Sequence, residues 1–183
     1  PRLVTGYDQY LRLYGDAFAD GQIPYAYGLM SNLLGGIAER IEPPFTLVKF
    51  EGDAVFAVGE DGVVPSGSSL IRMITECHDD FQQRMDEAGL TWTCTCNACV
   101  IKDSLDLKFV VHHGGYFVQS IGAHTEVLGP DVTVAHRLLK NAAADRTGST
   151  AYALFTDAAE IALALQEIVT LAGGIAHDFN NIL

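Results

Sequence analysis

The sequence is poor in positive charge. Lysine and arginine number 11 against 23 aspartates and glutamates, a formal net charge of −12. A phosphodiester backbone is held by clustered cations, so a nucleic-acid partner is excluded. A single nucleotide is still compatible, because a divalent cation offsets the acidic field around its phosphates. Long apolar runs are missing too, and none reaches the length of a bilayer-spanning helix. The N-terminal residues lack the basic-then-apolar layout of a leader, and the chain opens on Pro1 rather than Met. These absences together point to a cytoplasmic protein. There is no internal repeat, no low-complexity tract, no G-x-G-x-x-G and no Walker lysine motif. Cysteine is confined to Cys77, Cys94, Cys96 and Cys99, three of them inside "CTCNAC". Cysteines that close cannot all pair with one another comfortably, and in a chain with no export signal they read better as reduced thiols or metal ligands than as a disulfide framework.

What is present is ample apolar material. Hydrophobic residues make up 49% of 183, enough for one packed domain, or a domain with an appendage. Tyr7, Tyr10, Leu11, Tyr14 and Phe18 recur at helical spacing after a Thr5 cap, and Gly21 closes that segment. A second helix starts near Pro24 and runs to about Glu39, where "EPP" stops it. Runs 45–50 and 54–58, joined by "EGD", read as a β-hairpin. After the loop "GEDGVVPSGSS", an amphipathic helix over roughly 67–88 puts Leu70, Ile74, Cys77, Phe81 and Met85 on one side. "LDLKFVVHHGG" suits a central strand, with "YFVQSIG" pairing back onto it through the double glycine. A helix over 130–143, the strand "AYALFT" and a helix from Asp157 complete the order. It describes an α+β sandwich with helices covering a sheet. The domain is expected over 1–165, with a Cys-rich insert at 91–103 and a helical tail at 166–183.

Several residues carry candidate chemistry. Asp53, in "LVKFEGDAVFAV", is either a turn residue or a carboxylate set to hold a ligand. Lys49 reads as a strand residue reaching solvent or as a ligand contact. His136 and Arg137 read as helix-surface residues, although the helix N-terminus before Arg137 suits phosphate. The C-x-C-x-x-C packs three soft ligands into a tight loop. A structural zinc would take Cys94, Cys96 and Cys99 with Cys77 as the fourth ligand, or His78, His112 or His113 in its place. The other readings are buried small thiols and a redox or iron–sulfur site. His112 and His113 are expected to alternate, one inward and hydrogen-bonded, one outward.

Three of these segments, in this order and spacing, resemble the class III nucleotidyl cyclase catalytic domain over about residues 3–160. "TGYDQYL" is similar to the D-x-x-G-[FY]-T opening of that family. "KFEGDAVFAV" resembles its K-x-x-G-D hairpin, and "GPDVTVAHRLLKN" its G-D-x-V-N-x-A-x-R helix start. The combination "CTCNAC…LKFVVHHG…GPDV…HRLLKN" looks closest to a cyclase-related domain-of-unknown-function family. The resemblance implies a ferredoxin-like nucleotidyl-cyclase fold, mostly antiparallel, with helices flanking the sheet. It implies a homodimer, ATP or a related nucleotide as ligand, and magnesium or manganese with it. Position by position, it makes Asp53 a divalent-cation ligand and Lys49 with Glu126 the readers of an adenine-like base. Arg137 falls on the transition-state arginine. Thr133 falls where the family has its transition-state Asn, and Leu3 where it has its other metal-binding Asp. Leucine cannot ligate a cation, and a two-cation clamp loses orders of magnitude in rate when one side goes. The expectation is therefore a signalling or nucleotide-binding module that is catalytically degenerate, with an active adenylate cyclase as the alternative.

The last residues, "LAGGIAHDFNNIL", resemble the phosphoacceptor box of sensor histidine kinases, with His177 as the acceptor. This suggests a further alternative, the input domain of a sensor histidine kinase. The match covers about 13 residues, and the same segment also reads as a terminal helix.

Overall fold

The computed structural model describes residues 2–5, 25–64, 66–91 and 105–163. The first predicted helix, the Cys-rich loop and the tail lie outside these residues. The described chain runs β1 (Arg2–Thr5), α1 (Tyr25–Ile41), β2 (Thr46–Glu51), β3 (Ala54–Val58), α2 (Gly67–Thr91), β4 (Lys108–His112), β5 (Phe117–Ile121), β6 (His124–Leu128), α3 (Pro130–Leu138), α4 (Ala143–Thr147), β7 (Tyr152–Phe155) and α5 (Asp157–Leu163).

Five strands form one sheet in the order β2-β3-β1-β4-β7. β3 and β4 both run antiparallel to β1, and β2 runs antiparallel to β3. Thus β1 lies between two parallel strands linked by α2, and β3 lies between β1 and β2, which also run the same way. These two interleaved split units are the ferredoxin-like arrangement. β7 adds in parallel beside β4.

Alternation along the strands sorts side chains onto two faces. Val55, Ala57, Phe109, Val111, Ala153 and Phe155 meet Leu29, Leu33, Ile37 and Ile41 of α1 and Leu70, Ile74, Cys77 and Phe81 of α2. The four-residue spacing in α1 makes a single apolar stripe, ended by Pro43 and Pro44, which cannot continue a helix. On the other face, Phe56 and Val58 pack against Val127, Val132 and Ala135, and Val110, Tyr152 and Leu154 against Leu138 and Ala143. With both faces covered, β3 and most of β4 read as continuous apolar runs. Removing Phe56 entirely from water contributes about 2–3 kcal/mol.

Two expectations are corrected. "YFVQSIG" does not pair with the central strand. β4 is already flanked on both sides, and β5 instead pairs with β6 in a separate two-stranded ribbon. Gly122, at φ 63, makes the turn. The single helix over 130–143 is two helices. The Asn141 amide donates to Leu138 O at 2.7 Å, ending α3, and its Oδ1 accepts from the Ala143 N–H at 2.7 Å, starting α4. The Tyr152 hydroxyl donates to the same Oδ1 at 3.1 Å, tying the break to β7.

Candidate functional site

The β2–β3 hairpin turns on Gly52 and Asp53, with Gly52 at φ 63 and Glu51 opposite Ala54. The register slips between Leu47 and Lys49. Leu47 pairs with Ala57 but Lys49 pairs with Phe56, leaving Val48 as an extra residue. This bulge decides where the charges go. Leu47 packs into the core under α1 and α2, and strict alternation would send Lys49 after it. The bulge instead puts Lys49 on the Phe56 side, facing β6 and α3.

Four ionisable groups meet there. Lys49 Nζ lies 2.8 Å from Glu51 Oε1 and 3.7 Å from Glu126 Oε2. The other Glu51 oxygen lies 3.2 Å from His136 Nδ1. The His136 ring rests tilted against Phe56, centroids 4.9 Å apart. Their side chains are between 29 and 38% exposed, accessible to a ligand yet partly screened from water. The Glu51 hydrogen bond, helped by the field of both glutamates and opposed by burial, raises the Lys49 ammonium above the usual lysine range.

The structure thus brings Lys49 and Glu126 together across two sheets. Asp53 stands at the hairpin tip, near Lys49 in sequence, with its Oδ2 shielded from solvent. On α3, Val132, Ala135 and Leu138 point inward, while Thr133 and Arg137 are exposed and one turn apart. The Thr133 hydroxyl turns back to Gly129 O at 3.4 Å. Sequence reasoning does not single out Glu51 or His136 as site residues. A signal for Glu51 exists, since residues two apart on a strand share a face. For His136 there is none, because only α3 packing onto Phe56 aims it at the hairpin.

A two-cation site is not matched by the described residues. Leu3 sits in β1 opposite Ala57 and Val111 and offers no donor. Among the described residues there is no group of three or more His, Cys, Asp or Glu side chains that could hold a metal ion. Cys77 is buried under α1, and burial pushes its thiol up to about 12. Cys94, Cys96, Cys99 and His177 lie outside the described residues.

The histidine pair splits between inside and outside. His112 is buried, its Nδ1 3.0 Å from Thr156 Oγ1 and its Nε2 3.5 Å from Asp131 Oδ1. Thr156 in turn accepts from the Ala159 N–H at 3.3 Å, capping α5. His113 is partly exposed, 3.1 Å from Asp61.

Comparison with known proteins shows the family and the fold. Residues 30–147 match the family described as "Protein of unknown function (DUF2652)", and the chain belongs to that family. It is 31% identical over 157 residues to "Uncharacterized protein Rv2561/Rv2562" of Mycobacterium tuberculosis, covering 84% of this chain and 68% of that protein. Among solved structures it is similar to the adenylyl cyclase CyaB from P. aeruginosa (TM-score 0.62, 15% identity, 93% of this chain and 86% of that one). It is also similar to a bacterial light-regulated adenylyl cyclase (0.59, 18%, 90% and 78%) and to the guanylyl cyclase Cya2 (0.56, 16%, 88% and 76%). At these identities the likeness is one of fold. None of these relatives supports the phosphoacceptor reading of the tail. No described helix is long and apolar enough to cross a membrane.

Proposed function

We propose that this DUF2652 protein is a cyclase-fold module that binds an adenine nucleotide beside the β2–β3 hairpin and does not turn it over at cyclase rates. The observation that carries the reading is the approach of Lys49 to Glu126 from separate sheets. An ammonium and a carboxylate side by side match the adjacent acceptor and donor on the adenine edge, N1 and the 6-amino group. The solved structures of similar fold include adenylyl cyclases. Asp53 and Arg137 retain a carboxylate and a guanidinium suited to a cation and to phosphate. Leu3 and Thr133 withhold the second cation ligand and the amide that turnover in that family draws on.

Titration calorimetry with ATP and magnesium or manganese tests binding, with K49M expected to abolish it. A parallel assay for cyclic AMP tests degeneracy. Robust turnover that disappears in D53A overturns the degenerate reading in favour of an active adenylate cyclase, the reading that the retained Asp53 and Arg137 favour. A homodimer is part of the proposal, and the exposed apolar side chains of the β5–β6 ribbon support it. So is a structural zinc on the Cys-rich segment, tested by metal analysis of protein purified under reducing, chelator-free conditions.

A further inference from the structure

Glu51 is the one carboxylate of the cluster that touches both nitrogen-bearing side chains, Lys49 and His136. One oxygen takes Lys49 at 2.8 Å and the other takes His136 at 3.2 Å. Glu126, which the nucleotide reading needs as the partner of Lys49, stands farther off at 3.7 Å, beyond ordinary hydrogen-bond length. The ammonium is therefore engaged by a residue of its own strand, two positions along and one before the turn. The short bond takes one of the three donors of the ammonium and orients the other two, so an incoming base competes with Glu51 for the position and charge of Lys49. His136 offers Glu51 a second place to rest, and Phe56 holds the imidazole where it can do so.

We infer that Glu51 is a latch on the base-binding site: it occupies Lys49 in the ligand-free protein and swings fully onto His136 when a base takes Lys49. This inference rests on the nucleotide reading of Lys49 and Glu126. Its consequence is an affinity set by competition inside the chain. Glu51 and Glu126 carry the same charge beside the same ammonium, yet have opposite effects. Glu51 competes with the ligand, whereas Glu126 contacts it. Lys49 and Glu51 are both about one-third exposed, so the pair is weak enough for a ligand to open.

The test compares E51Q and E126Q, two isosteric changes that remove the same charge. Each is titrated with ATP–magnesium and with adenosine, which removes the attraction of an anionic ligand for a less acidic protein. E51Q is expected to bind both about two- to fivefold more tightly, the range of an exposed ion pair. E126Q is expected to bind about fivefold or more weakly, as for a lost hydrogen bond to a charged group. Circular dichroism melts confirm that both variants are folded. Equal or weaker binding by E51Q when the unaltered protein binds overturns the latch and leaves the nucleotide reading standing. Tighter binding by both variants also overturns it, as a general charge effect. If neither the unaltered protein nor E51Q binds either probe, the nucleotide reading itself fails and the latch falls with it. Binding that appears only in E51Q supports both.

Discussion

Lys49 and Glu126 meet at 3.7 Å although one lies in the five-stranded sheet and the other in the two-stranded ribbon. The contact depends on the bulge at Val48, on the ribbon folding back over the hairpin, and on Val127 anchoring the ribbon beside Phe56. Glu126 and Val127 are neighbours on β6, so one alternation buries the anchor and turns out the carboxylate.

The α1–α2 pair is clamped by Asp80, which accepts from Arg40 at 2.9 Å and Arg84 at 2.6 Å. Gly36 makes room, since a Cβ there would lie 2.6 Å from Arg84 Nε and 2.8 Å from Asp80 Oδ2. The Arg40 bond first, and then Arg84, hold the Asp80 carboxyl below its usual range despite partial burial. A depressed carboxylate stabilises the fold above its unfolded value, near pH 4, and that stability is lost as the pH falls below it. D80N is expected to cost about 1–2 kcal/mol at pH 7 and to flatten the fall in melting temperature between pH 5 and 3.

Cys77 gives the opposite pH dependence. Its thiol is buried and pushed up to about 12 from an ordinary value of 9.0. The unfolded chain ionises this group first, so its contribution is complete below pH 9 and is lost as the pH climbs towards 12. In urea melts between pH 9 and 10.5, the unaltered protein should lose about 1 kcal/mol per pH unit more than C77A. Parallel pH profiles for the two would show that the thiol is not held neutral in the core.

Gly114 is set against the Asp131 side chain, which a Cβ at that position would strike. Asp131 accepts from the Gly115 N–H at 2.7 Å and faces His112. G114A should therefore push the carboxylate off both partners and destabilise the protein by about 1–3 kcal/mol in urea unfolding. On a D131G background, which removes all three of the atoms that the new Cβ would strike, the same change should cost less than about 0.5 kcal/mol.

The β5–β6 ribbon leaves Phe117 72%, Val118 63% and Ile121 54% exposed, on a strand that among the described residues is paired along one edge only. Such a patch suits association. Light scattering is expected to report a dimer for the unaltered protein and a monomer for F117S/I121S. Because each copy carries a net charge of −12, added salt should strengthen the dimer by screening repulsion. A monomer at all salt concentrations would remove the homodimer from the proposed function.

The sequence alone determined the features that depend on near neighbours along the chain. The hairpin over Gly52 and Asp53, the apolar stripe of α2 and the strand centred on Val110 are legible because side-chain period and turn residues act locally. The cyclase resemblance reached further, since its short motifs single out both Lys49 and Glu126, two residues distant along the chain. The partner of β5 was not legible. "YFVQSIG" pairs locally with "HTEVL", and what denied it the central strand was β7 arriving from beyond α4. Nor could the sequence say which face Lys49 occupies. A one-residue bulge reverses that face, and whether a bulge forms depends on what packs above and below the strand. Glu51 acquired its place between Lys49 and His136 only when α3 settled on Phe56, because the tertiary fold sets distances between groups that the chain keeps far apart.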